Sequence, residues 1–349
     1  MTMSSTEGAV LVAQQRPLEL RELVLPELKP GQVMVEIAYS GVCHTQVNEW
    51  SGAKGPDPYL PHTLGHEASG RVLAVGAGVA KVRVGQPVVL SWIKGLGADI
   101  PGAVYGSPGG PVNSGAISTF MRTAVIAENR VTAIPEDMPL REAALLGCAV
   151  PTGCGIVWNS AQLREGNSTA VIGIGGIGMC AILAAVASHA APIIAVDIAP
   201  AKLTEAKRLG AHHTVNARET DALAAIHALV TGGVDVAIEA AGTRQTMELA
   251  FEAARVGGGL CVLAGNLARG ERISIDPFSL IAGKRIVGTW GGETDPDRDI
   301  PRYVKMFQEG GLPLDRLSVR EFPLSEINEA MQSMQSGLIV RSLVRMAGG

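Results

Sequence analysis

Residues 169–178 read Thr-Ala-Val-Ile-Gly-Ile-Gly-Gly-Ile-Gly, so Gly173, Gly175 and Gly178 form a G-x-G-x-x-G run with Gly176 and Ile177 inside it. A helix-like apolar stretch follows, and then Pro192-Ile-Ile-Ala-Val-Asp197. Each residue type has a chemical reason to be there. Gly173 permits a tight turn, Gly175 lets backbone approach a pyrophosphate, and Gly178 lets a helix pack close to its strand. The first turn of that helix, from Gly176 and Ile177, offers free N–H groups and the positive end of a dipole to phosphates. Asp197 follows Gly178 at about 20 residues, the distance expected of a carboxylate that holds a ribose diol. Glycines alone are weak evidence. Two flanking strands and the acid turn them into a dinucleotide-binding βαβ unit.

The surrounding elements are those such a unit needs. Strands are expected near Ala170–Gly173, Ile193–Asp197, His213–Asn216, Val234–Glu239, Leu260–Ala264 and Arg285–Thr289, with crossovers between most of them. That alternation predicts a parallel, doubly wound sheet. The half before Pro139 is β-rich instead: Val33-Met-Val-Glu-Ile-Ala and Gly70-Arg-Val-Leu-Ala-Val alternate, and Val88-Val-Leu-Ser-Trp is a short apolar run. Turn signals such as Lys29-Pro-Gly31 separate them. The Gly- and Pro-rich stretch 95–115 reads as a surface excursion. The tail from Pro301 holds two helices (301–310 and 324–336) and a strand near Ser342–Met346. The expected division is 1–150, 151–290 and 291–349, the last returning to the first.

Composition narrows the function classes. The chain has 349 residues, 47% hydrophobic and 18% charged, with net charge −4. That is enough for two cores and gives no electrostatic case for nucleic acid or an anionic membrane. Residues 166–196 carry no charge, but glycines, a proline and strand-length pieces argue against a membrane span. The N-terminus lacks a basic region followed by an apolar core, and five scattered cysteines are no disulfide framework. A cytoplasmic location is expected.

Three further motifs precede the glycine run: Gly41-Val-Cys43-His44-Thr45, Leu64-Gly-His66-Glu67, and Leu146-Gly-Cys148-Ala-Val-Pro-Thr-Gly153. Their spacing alone predicts no shared site. In this order, ahead of the nucleotide fingerprint, they resemble the zinc-dependent alcohol dehydrogenases of the medium-chain dehydrogenase/reductase superfamily. The resemblance spans essentially the whole chain. It implies an α/β plus β fold, a GroES-like β domain with a Rossmann domain, and an active site in the cleft between them. It also implies that Cys43, His66 and Cys148 hold one catalytic zinc, leaving a fourth position for water or an alcohol oxygen. Zinc acidifies the bound hydroxyl, and hydride passes to a nicotinamide. Glu67 is the acidic neighbour that tunes or transiently visits the metal, and Thr45 begins a proton relay. His44 and Arg341 are implied beside the cofactor phosphates, Lys202 near the adenine ribose, and Trp92 with Trp50 around the substrate. For Arg341 the competing reading is a solvated surface arginine. Asp197, followed by Ile198 rather than a cation, repels a 2′-phosphate and favours NAD.

The chain also departs from that family. No cysteine lies between Cys43 and Cys148, so the second, structural zinc of many members is absent. Gln46 stands where an aspartate often supports the ligand histidine; the amide is expected to accept the imidazole N–H without adding charge. Asn48 stands where some members end the relay with a histidine, and it cannot titrate. The expected reaction is interconversion of an alcohol, bulky or cyclic, with an aldehyde or ketone by a homodimer, with a tetramer as the other possibility. The alternatives are a zinc-free, NADPH-dependent enone or quinone reductase of the same superfamily, and a non-catalytic binding protein.

Overall fold

The computed structural model describes residues 5–268, 270–337 and 341–346. The chain divides into two compact units. One comprises the residues up to Cys148, Asp295–Gln308, and the residues from Val319; the other comprises Ala149–Thr294 and Glu309–Ser318.

In the second unit six parallel strands lie in the order His213–Asn216, Ile193–Asp197, Thr169–Ile172, Val236–Glu239, Leu260–Leu263, Arg285–Gly288. The chain starts in the middle, winds to one edge, then returns and winds to the other. Thr169–Ile172 and Val236–Glu239 are buried throughout, as strands covered on both faces must be, whereas the edge strand Arg285–Gly288 is only half-buried or exposed. The helix Gly176–Ala187 is apolar all round and buried from Gly178 to Ala185. That burial explains the uncharged stretch. No single helix among the described residues is long and apolar enough to cross a membrane.

The first unit holds two mainly antiparallel sheets around one core that includes Leu11, Leu23, Ile37, Phe120 and Phe322. Its organising strand is Gln32–Val42, which pairs with Glu67–Val75, Thr123–Ala127 and Arg341–Arg345. Stretch 95–115 is not a mere surface excursion. Val104–Tyr105 and Val112–Ser114 form a hairpin joined to His62–Thr63, and the buried Tyr105 hydroxyl accepts from Val125 N at 2.9 Å. Its start is stapled by carboxylates. Glu128, 4% exposed, accepts from Ala80 N at 2.6 Å, Lys81 N at 2.8 Å and Ala98 N at 3.0 Å. Asp297, on the helix Pro296–Gln308, accepts from Leu96 N at 2.5 Å and pairs with Lys81 at 2.6 Å.

Candidate active site

Cys43 follows the last residue of strand Gln32–Val42 and caps the helix His44–Ser51. His66 immediately precedes Glu67–Val75, the antiparallel neighbour of that strand. The two side chains therefore leave adjacent strand ends. Cys148 arrives from elsewhere, after the turn Leu145–Gly147. A Cβ at Gly147 would sit 2.3 Å from Leu90 O and 2.6 Å from Glu67 Cβ, so only glycine lets this segment pass. The Ser91 hydroxyl then fixes it by donating to Gly147 O at 2.7 Å.

The donor atoms of Cys43, His66 and Cys148 all lie within 4.8 Å of one another, and His66 Nε2 is 3.2 Å from Cys148 Sγ. The edges of a tetrahedron about zinc come to roughly 3.5–3.8 Å for sulfur and nitrogen ligands. Two sulfurs and an imidazole are the donor set zinc prefers, with one position left open. A hydrogen bond from the Cys148 thiol, then one from His66 and the charge of Arg341, hold the Cys43 thiol well below its ordinary range, against the opposing effect of burial. Cys43 is thereby poised as the thiolate a metal needs. The residues fit zinc.

Around the triad, Gln46 is 1% exposed. Its Oε1 accepts from Cys43 N at 2.9 Å, and its Nε2 lies 2.5 Å from His66 Nδ1. The amide therefore shows its NH2, not its oxygen, to the imidazole, the reverse of the sequence expectation. Thr45 Oγ1 is 3.9 Å from Cys43 Sγ. Trp92 tilts against His66 with ring centroids 6.4 Å apart. Trp50 lies elsewhere: its indole N–H donates to Arg16 O at 2.7 Å and its ring packs on the core.

Glu67 stands beside the donor set rather than in it. It is fully buried and paired with Arg341, itself 5% exposed. That burial excludes a solvated surface role for Arg341, whose guanidinium is engaged within the first unit. His44 is exposed at the start of its helix.

In the second unit Gly173 has φ +93°, and a Cβ there would lie 2.6 Å from Ala241 N. A Cβ on Gly178 would lie 2.1 Å from Gly173 O, whereas one on Gly175 would meet nothing within 4 Å. Gly175 thus faces open space at the N-terminus of the helix Gly176–Ala187. Asp197 Oδ2 accepts from Ile174 N at 2.7 Å and Oδ1 from Ala199 N at 2.9 Å, which aims the carboxylate along the glycine turn. Lys202 is half-buried on the next helix, Pro200–Arg208. Sequence reading missed Glu239. This fully buried carboxylate accepts from Ala241 N at 2.9 Å, Gly242 N at 2.6 Å, Gly265 N at 3.2 Å and the Thr246 hydroxyl at 2.7 Å, fixing the loop beyond the central strands.

Comparison with known proteins agrees with this geometry. The family model for an alcohol dehydrogenase GroES-like domain matches residues 29–136, and that for a zinc-binding dehydrogenase matches residues 176–309. Alcohol dehydrogenase 1 of Trifolium repens is 30% identical over 99% of this chain and 100% of its own length. An S-(hydroxymethyl)glutathione dehydrogenase of Synechocystis is 32% identical over 97% of this chain and 99% of its own. The crystal structure of benzyl alcohol dehydrogenase from Acinetobacter calcoaceticus superposes with TM-score 0.91 at 30% identity, covering 99% of this chain and 100% of that one. With a clustered Cys2His donor set, a glycine-turn nucleotide site and these relatives, the chain belongs to the zinc-dependent alcohol dehydrogenases of the medium-chain dehydrogenase/reductase superfamily.

Proposed function

We propose that this protein is an NAD-dependent dehydrogenase of uncharged, ring-containing alcohols. The observation that carries the reading lies in the first unit, where a cavity of about 610 Å³ reaches His66. Its apolar walls include Pro56, Pro58, Tyr59, Leu64 and Ile117. Its charged groups are already matched: Glu49 with Lys54 at 3.0 Å, and Asp57 with His62 at 2.7 Å. A charged substrate finds no spare counter-ion there, while a flat apolar ring finds matching walls.

Zinc at Cys43, His66 and Cys148 would supply a Lewis acid that acidifies the alcohol hydroxyl. The residues of the chain do the rest. Thr45 holds a hydroxyl next to Cys43, where it can take up the alcohol proton and pass it on, and water continues the path because Asn48 cannot titrate. In the second unit the Asp197 carboxylate accepts the adenine ribose hydroxyls and repels a 2′-phosphate. Gly175 and the helix behind it receive the pyrophosphate. Arg341 acts through Glu67, holding that carboxylate in place behind the ligands.

The expected assembly is a homodimer. Among the described residues the strand Arg285–Gly288 pairs on one side only, and Phe278, Ile281 and Trp290 near it are 68%, 80% and 76% exposed. Among the described residues no disulfide joins any of the five cysteines, in keeping with the cytoplasm. Steady-state kinetics test the substrate and cofactor readings together. Benzylic or cyclic alcohols with NAD should give the highest kcat/KM; a higher value for ethanol, or for NADP, refutes the corresponding part.

A further inference from the structure

We propose that Gln46 makes the catalytic metal exchangeable, so that a loaded site releases it faster than a carboxylate at this position would allow, an inference that rests on the zinc reading above. His66 faces Cys148 Sγ through Nε2 at 3.2 Å, so Nε2 is the nitrogen within the donor cluster. A neutral imidazole that binds a metal through Nε2 carries its proton on Nδ1 and needs an acceptor there. Gln46 is the group that Nδ1 meets, at 2.5 Å. The same side chain also serves the backbone N–H of Cys43, at 2.9 Å. One residue thus bridges two of the three ligands.

An amide has one oxygen and one NH2. In the metal-free site that is sufficient. The oxygen takes the Cys43 N–H, the NH2 donates to a bare Nδ1, and His66 turns its own proton through Nε2 toward Cys148. The Cys43 N–H, the amide N–H that faces Nδ1 and the imidazole N–H each then have an acceptor. A metal on Nε2 would leave the imidazole proton on Nδ1, and two N–H groups would then converge on a single amide. Whichever way the amide is turned, one N–H faces the NH2. With Gln46 only 1% exposed, water has little access to relieve the clash. A carboxylate at this position would accept both N–H groups at once.

The test begins by loading the wild-type chain with zinc and following release to excess chromogenic chelator, beside Gln46→Glu. The glutamate variant should release zinc more slowly by about 10–100-fold, the usual scale for such outer ligand contacts. Equal or faster release from Gln46→Glu overturns the proposal. A second measurement needs no variant. In metal-free wild-type protein labelled with ¹⁵N-histidine, one histidine should carry its proton on Nε2 and shift it to Nδ1 when zinc is added; no such change overturns the proposal as well. A wild-type chain that takes up no zinc sinks the zinc reading instead, and so is distinct from either result.

Discussion

Replacing Glu128 by Gln should weaken the first unit by about 2–4 kcal/mol at neutral pH. The Glu128 carboxylate accepts three backbone N–H groups, two on Oε1 and one on Oε2. Glutamine keeps an oxygen for Ala80 and Lys81 but turns NH2 toward the Ala98 N–H. One charge-assisted bond, worth about 1.5–3 kcal/mol, is lost, and two others fall to neutral strength, about 1 kcal/mol each. Relief of the glutamate's own burial cost offsets part of this. At roughly 2–4 °C per kcal/mol for a unit of this size, the melting temperature should drop by about 5–15 °C. The effect should also depend on pH. Burial pushes the Glu128 carboxyl up, but the three N–H groups and the Lys81 charge outweigh it and bring it below its ordinary 4.5. Its stabilising contribution is therefore complete above about pH 5 and is lost as pH falls through the lower, folded value. Urea unfolding of both proteins at pH 7, 5.5 and 4 reads the difference. A gap under 1 kcal/mol at pH 7, or one that stays constant as acid is added, would show that these contacts do not hold the 95–115 segment.

Thr45→Ala should lower kcat by about 100-fold or more, with Thr45→Ser largely restoring it, if that hydroxyl moves the alcohol proton; equal kcat in Thr45→Ala removes the relay. Asp197→Ala should raise KM for NAD and bring kcat/KM for NADP up toward it, whereas an unchanged ratio means the cofactor is selected elsewhere. Arg341→Leu leaves the buried Glu67 carboxylate unpaired and should cost about 3–5 kcal/mol in unfolding experiments, of which Glu67→Gln in the same chain restores a large part. Ile281→Asp should yield monomers in analytical ultracentrifugation if the exposed edge of the parallel sheet carries the dimer, and unaltered sedimentation would place the interface elsewhere.

The parallel sheet was legible because each buried strand is a short apolar run ended by glycine or acid, and because steric demands there leave few residue choices. Gly173 and Gly178 are dictated by backbone approaches that no side chain survives. The ligand triad was legible only through resemblance. Cys148 lies 82 residues from His66, and their meeting depends on how Gly147 threads past Leu90, which no local pattern encodes. One usable signal was overlooked: Gly41, Gly65 and Gly147 each stand one or two residues before a ligand. The polar hubs were not legible. Glu128 and Glu239 look like ordinary surface charges in the sequence, since their partners are backbone N–H groups that the fold alone supplies, and Arg341, which the resemblance set beside the cofactor phosphates, meets a carboxylate distant in sequence. The hairpin within 95–115 was hidden for a similar reason, its Gly and Pro content masking two short strands. Gln46 was recognised as a departure, but which end of its amide meets His66 follows from the Cys43 N–H and so needed coordinates.

One catalytic metal held by Cys43, His66 and Cys148 underlies the proposed chemistry. Elemental mass spectrometry of protein purified without chelators tests it most directly, with Cys148→Ala alongside. The prediction is one zinc per chain in the wild type and none in the variant. No zinc in the wild type, two per chain, or one that persists in Cys148→Ala would contradict it.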